Sequence, residues 1–180
     1  MRRCALWLAA AAAVVACTDS SSRVVKADSA VMPRDSVVEW ARSVDSLADS
    51  SHMREFEFPA RSTEGGVGRF YKLADSSVRI DVDDLGEMGR SLERFYTRDS
   101  ALRLAVKTEE RYDAPMSGNV VKTKVDSTWF VANTAVRLRD SLGIVRVAPD
   151  TLVAAHGRDL LAEYRWAIRM AGAARDNISR

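Results

Sequence analysis

The chain has 180 residues, with 27 Lys+Arg against 25 Asp+Glu. Without Arg2 and Arg3 the acids and bases are equal in number, so no field of one sign marks the protein for nucleic acid or an anionic surface. Both cysteines, Cys4 and Cys17, sit at the extreme N-terminus, so no disulfide staples the body and stability rests on one hydrophobic core, for which this length suffices.

In chain order, Met1-Arg2-Arg3 is a basic start and Ala5 to Ala16 an apolar run without charge, closing on Val14-Val15-Ala16-Cys17. A bilayer span needs about 20 such residues, and the shorter run after a basic start has the form of a secretory signal. The close of the run resembles a bacterial lipoprotein signal. That resemblance implies cleavage after residue 16 and lipidation of Cys17, which becomes the mature N-terminus. Thr18 in the next position, rather than Asp, implies sorting to the outer membrane, facing the periplasm. Residues 17–32, rich in Ser, Asp and Ala without apolar periodicity, read as a tether with a reach on the order of 20 Å.

Residues 33–172 read as one α+β domain. Pro33-Arg34-Asp35-Ser36 opens a helix, with Asp35 or Ser36 able to cap it. Val37, Trp40, Ala41, Val44, Leu47 and Ala48 recur at helical spacing. The helix should fade near Ser50 to His52. From Phe56 the period becomes two, as Phe56 and Phe58 alternate with Glu55 and Glu57. Three units then repeat an aromatic pair, an Asp/Asn-Ser/Thr turn and an apolar-Arg-apolar run. They begin at Phe70-Tyr71, Phe95-Tyr96 and Trp129-Phe130. Each combines strand-favouring residues with turn formers, so each predicts a β-hairpin. Val78, Ile80 and Val82 should share one face, with Arg79, Asp81 and Asp83 on a solvated one. Leu102, Leu104 and Val106 should likewise lie opposite Arg103 and Lys107. Gly86-Glu87-Met88-Gly89 is a further turn. A long connection is expected to carry Arg111 to Val125. The sum is an antiparallel β-meander of repeated hairpins with one apolar face.

That face needs a cover. Pro149 and Asp150 begin a second helix whose stripe is Leu152, Val153, Leu160, Leu161, Tyr164, Ala167, Ile168 and Ala171. The N-terminal helix, this C-terminal helix or both should pack on the sheet, and residues 173–180 should fray.

Ser62-Thr63-Glu64-Gly65-Gly66, Phe70-Tyr71, Gly86-Glu87-Met88-Gly89-Arg90, Phe95-Tyr96 and Glu110-Arg111-Tyr112-Asp113-Ala114-Pro115-Met116 occur in that order. The ordered set resembles small bacterial envelope lipoproteins of unknown function built from repeated hairpins, and its units faintly resemble variant MORN repeats. The resemblance covers about residues 62 to 140. It implies a fold and an address, with no activity to carry over.

Few residues suggest chemistry. His52 and His156 are isolated, whereas zinc takes three or four ligands. Asp81 to Asp84 lack the spacing and closing Glu of an EF-hand. Glu64-Gly65-Gly66 and Gly68 lack the Gly-Lys-Ser/Thr of a phosphate loop and read as turn residues. Glutamates 87, 109 and 110 form no evident carboxylate pair. The constellation worth keeping is Glu64 with Arg111 and Tyr112, since Arg and Tyr on a loop suit recognition. The expectation is a lipid-anchored binding or structural module of the cell envelope, without catalytic residues, metal or cofactor. Its partners would be the membrane, through the lipid, and an envelope protein or glycan, with no role for nucleic acid. Two alternatives stand beside it. One is a carrier of lipid or another apolar ligand, which Trp40, Trp129 or Trp166 would report. The other is a hydrolase using Glu64 and Glu87.

Overall fold

A computed structural model describes residues 34–48, 53–58 and 64–178. The leader, Cys17, the tether, Pro33 and His52 lie outside these residues. The elements are α1 (Arg34–Ala48), β1 (Met53–Phe58), β2 (Gly66–Lys72), β3 (Ser77–Gly86), β4 (Gly89–Arg98), β5 (Ala101–Tyr112), β6 (Val120–Val131), β7 (Thr134–Arg139), β8 (Val145–Val147) and α2 (Thr151–Ile178). The eight strands form one antiparallel sheet whose spatial order is the chain order. The protein is therefore α+β, a meander with both helices packed on it.

The turns follow their sequences. Asp99 and Ser100 join β4 to β5, and Ala132 and Asn133 join β6 to β7, all four with positive φ. Two successive positive φ angles match the right-handed twist of the paired strands. Asn133 also accepts a hydrogen bond on Oδ1 from the Leu102 amide at 2.9 Å, which ties this turn to β5. Between β2 and β3, Asp75 accepts from the Ser77 amide at 3.1 Å and from its hydroxyl at 2.9 Å. The hydroxyl bond is the chief reason that the Asp75 carboxyl titrates below its ordinary value.

The helices lie on opposite faces of the sheet. Phe56, Phe58, Ile80, Val82, Phe95, Leu102, Ala105, Phe130, Ala135 and Leu138 pack against Val153, Leu160, Tyr164, Ala167 and Ala171 of α2. Leu73, Tyr96, Leu104 and Trp129 pack against Val37, Trp40, Ala41 and Val44 of α1. A buried side chain of this size contributes roughly 1.5–3 kcal/mol, so each helix is held mainly by its stripe. The α2 stripe is narrower than the sequence suggests. Leu152 and Ile168 are exposed, because the buried line runs through residues 153, 160, 164, 167 and 171. Asp150 caps α2, accepting from the Leu152 amide at 2.8 Å. The helix continues to Ile178, past the end of its apolar stripe at Ala171 and through most of the stretch expected to fray. At the other end of the domain α1 begins at Arg34, so Asp35 and Ser36 lie within its first turn.

Three strand expectations need correction. First, Leu102 faces α2 while Leu104 and Val106 face α1. Tyr96 pairs with Leu104 and Thr97 with Leu102, so Arg103 is an extra residue, and a β-bulge of this kind reverses the alternation. Second, Gly66 and Gly68 are strand residues. A Cβ on Gly68 would lie 2.0 Å from the Phe56 ring, and one on Gly66 2.3 Å from the Phe58 ring. The two phenylalanines of β1 lie over the bare backbone of β2. Third, Arg79, Asp81 and Asp83 are buried at 7%, 4% and 5% exposure, not solvated. They lie on the α1 side as an ion-pair lattice. Arg79 donates to both oxygens of Asp81, the Nε bond being 2.8 Å, and to Asp45 of α1 at 3.1 Å. The Tyr96 hydroxyl donates to Asp45 at 2.9 Å. Arg90 donates to both oxygens of Asp83 at 2.6 and 2.5 Å. Buried carboxylates persist when each has such a partner: α1 covers the Arg79 end of this row through Asp45, and Arg69 and Arg90 hold Asp83.

Candidate functional site

The free end of the long β5–β6 hairpin meets the β3–β4 turn. The Tyr112 amide donates to the Met88 carbonyl at 2.9 Å, and the Met116 amide to the Glu87 carbonyl at 2.7 Å. The connecting loop 113–119 is wound on itself. Asp113 accepts from the Ser117 hydroxyl and the Asn119 side-chain amide, both at 2.6 Å. Those two bonds hold the Asp113 carboxyl below its ordinary pKa. Met116 and Gly118 take positive φ, which lets seven residues close without spreading the strands. The end of the sheet is thus a braced edge, and it displays Met88 and Met116 at 44% and 65% exposure.

On the α2 side of this end, cross-strand registry sets the chemistry. Gly86 pairs with Gly89, Gly89 with Arg111, and Arg111 with Lys122. One row therefore carries no side chain on β3 and β4 and a cation on each of β5 and β6. In the next row Ser91 pairs with Glu109 and Glu109 with Lys124. Lys124 Nζ is 3.6 Å from Glu109, and Lys107 Nζ is 3.4 Å from Glu109 and from Glu93. Burial opposes the charge on Lys107, but Glu93 and Glu109 outweigh it and its pKa is raised. Glu109 is thus shared by two ammonium groups. Among the described residues, Arg111 and Lys122 form no ion pair. Like charges directly opposite across two strands destabilise a sheet. A cavity of about 450 Å³ opens here, lined by Met88, Glu109, Glu110, Arg111, Lys122 and Lys124.

The structure only partly assembles the constellation expected from sequence. Arg111 and Tyr112 are the last two residues of β5, not members of a long loop, and Val120 already begins β6. Strand alternation puts them on opposite faces. Glu64 lines a separate cavity of about 400 Å³ with Glu57, Phe58, Gly65, Gly66, Val67 and Leu85. It shares the sheet end with Arg111, but β3 and β4 stand between them. Glu87 is exposed in its turn, and Glu109 and Glu110 point to opposite faces, so these carboxylates do not converge. His156 is half-buried on α2, with no hydrogen-bond partner for its buried Nε2. Among the described residues no group of three His, Cys, Asp or Glu is placed to hold a metal ion.

Sequence reasoning missed Lys122, Lys124 and Met88. The signal that could have found them is registry. The alternating Glu109, Arg111 and the alternating Lys122, Lys124 fall opposite one another once the loop is cut to seven residues.

No family model, curated protein or solved structure matches the chain.

Proposed function

We propose that the protein is a lipid-anchored binding module of the bacterial cell envelope, held by Cys17 at the outer membrane facing the periplasm. In this reading it engages an envelope partner through the braced end of its sheet. The observation that carries the proposal is the cavity at Met88, in which Arg111 and Lys122 stand opposite one another without a carboxylate ion-pair partner among the described residues. Binding geometry on a rigid scaffold explains why a costly charge arrangement is kept. The leader and the tether support the address, and among the described residues no helix is long and apolar enough to cross a membrane. The apolar faces are filled by helices, which favours binding at the sheet end over carriage of an apolar ligand between the layers.

The anchor is tested by metabolic labelling with a fatty-acid analogue. Label should enter the parent chain and be lost in Cys17→Ser. Labelled Cys17→Ser protein would remove the address. Binding is tested in intact cells with a photo-crosslinking residue at Met88 and a control at the exposed Leu152. A discrete adduct at Met88 that Arg111→Gln abolishes is the expected result. Equal capture at both positions, or none at Met88, would overturn the reading.

A further inference from the structure

We infer that the cavity at the free end of the sheet is a phosphate-binding site, with Arg111, Lys122 and Lys124 as its ligands. This rests on the reading of that end as the binding surface and names the chemistry it recognises. Three observations converge. Arg111 and Lys122 are paired across β5 and β6 with no acid to neutralise them among the described residues, and Lys124 follows on the same face of β6. The one carboxylate on that face nearest them, Glu109, is already divided between Lys107 and Lys124. On the other flank of Arg111 the row holds only Gly89 and Gly86, so no side chain of β3 or β4 in that row lies beside its guanidinium.

The donor set fits a tetrahedral dianion better than a carboxylate. A guanidinium offers a planar fork that binds two oxygens at once, while ammonium groups act as point charges with donors that rotate. Here one fork and two ammonium groups approach from two strands, with the ammonium groups one row apart. A carboxylate has two oxygens in one plane and a single charge. A phosphate presents oxygens in several directions and about two charges, so it can meet the fork and both lysines together. Its charge would also relieve the repulsion between Arg111 and Lys122. Inorganic phosphate, a phosphorylated glycan and a lipid with a phosphomonoester headgroup share this group.

The test uses the full lipidated chain in phosphatidylcholine nanodiscs. The Arg111 side-chain Nε–H resonance is followed while inorganic phosphate is added. A second sample, without added phosphate, replaces part of the phosphatidylcholine by phosphatidic acid, whose headgroup is a phosphomonoester. Inorganic phosphate should shift the resonance saturably, and Lys122→Gln with Lys124→Gln should weaken its binding at least about tenfold. A shift in the phosphatidic acid sample identifies a headgroup as the source, and its absence there identifies a soluble phosphate. No saturable shift in either sample, or an undiminished shift in the double variant, overturns the inference. Lys122→Gln alone should also melt no lower than the parent, because it removes a like-charge contact with Arg111. A clear fall in its melting temperature would show that Lys122 is structural and would equally overturn the inference. If the Met88 crosslink persists while phosphate has no effect, this inference fails and the binding reading stands.

Discussion

The residues that matter most to stability are those whose neighbours allow no substitute. Gly68 is the sharpest case. Its missing side chain is the space that the Phe56 ring occupies, with ring carbons 2.0 to 2.6 Å from where a Cβ would stand. Gly68→Ala should push Phe56 out of the α2-side core and cost about 1–3 kcal/mol, as overpacking does. Urea unfolding measures it, and Gly68→Ala with Phe56→Ala should cost less than the sum of the two single changes. Tyr96 is the second case. Burial first, and then the Asp45 carboxylate, raise its pKa well above 10.0. The folded state therefore keeps the phenol proton where the unfolded chain loses it. That preference stabilises fully below about pH 10 and is lost as the pH climbs through the raised pKa. Stability should fall above pH 10, and Tyr96→Phe should flatten that fall while lowering stability at neutral pH through the lost hydrogen bond to Asp45. Ultraviolet absorbance of tyrosinate during alkaline titration, followed alongside unfolding, checks both effects. Neither role is legible from sequence, because each depends on a neighbour from another strand or helix.

At the level of elements, α1 is held by an apolar stripe and one polar clamp. Asp45 receives bonds from Arg79 and Tyr96, and Arg79 also lies 4.9 Å over the Tyr71 ring. Asp45→Ala should cost about 1–2 kcal/mol. That is less than the 3–5 of a fully buried pair, because Asp45 is partly exposed and Arg79 keeps Asp81. Hydrogen exchange should show the α1 amides opening sooner while those of α2 are unchanged. Apart from the short β8, the existence and order of the elements are legible from local patterns: helical spacing from Val37 to Ala48, aromatic pairs at strand ends, and turns at Asp99-Ser100 and Asn133. The opposite placement of the two helices was not. Arg79, Asp81 and Asp83 carry charge, and charge on alternate positions reads as a solvated face unless partners from other elements are known. Leu102 was misplaced for a related reason, since a bulge at Arg103 leaves no mark in the hydrophobic pattern. Of the site, Arg111 was legible. Its partner Lys122 was hidden by a loop drawn too long, and Glu64 belongs to another cavity.

At the scale of the molecule, neighbouring strands in the chain are neighbours in the sheet, so most pairing is local and β pairing can proceed hairpin by hairpin. The exception is α2. It is the last element, yet it packs on β1 as well as on β2, β3, β6 and β7. A chain ending at Asp150 should therefore leave Phe56, Ile80, Val82 and Phe95 uncovered, bind a hydrophobic dye and unfold without a sharp transition. A cooperative monomer would show that the sheet stands without its cover. The same topology has a consequence for biogenesis. A chain made from its N-terminus has the strands of the sheet available early, while one greasy surface stays open until α2 emerges. Completion of the fold is timed by α2, and a chain stalled or cleaved before that helix would leave the surface exposed. Quality control of such a protein has a simple cue to read, namely whether α2 has arrived.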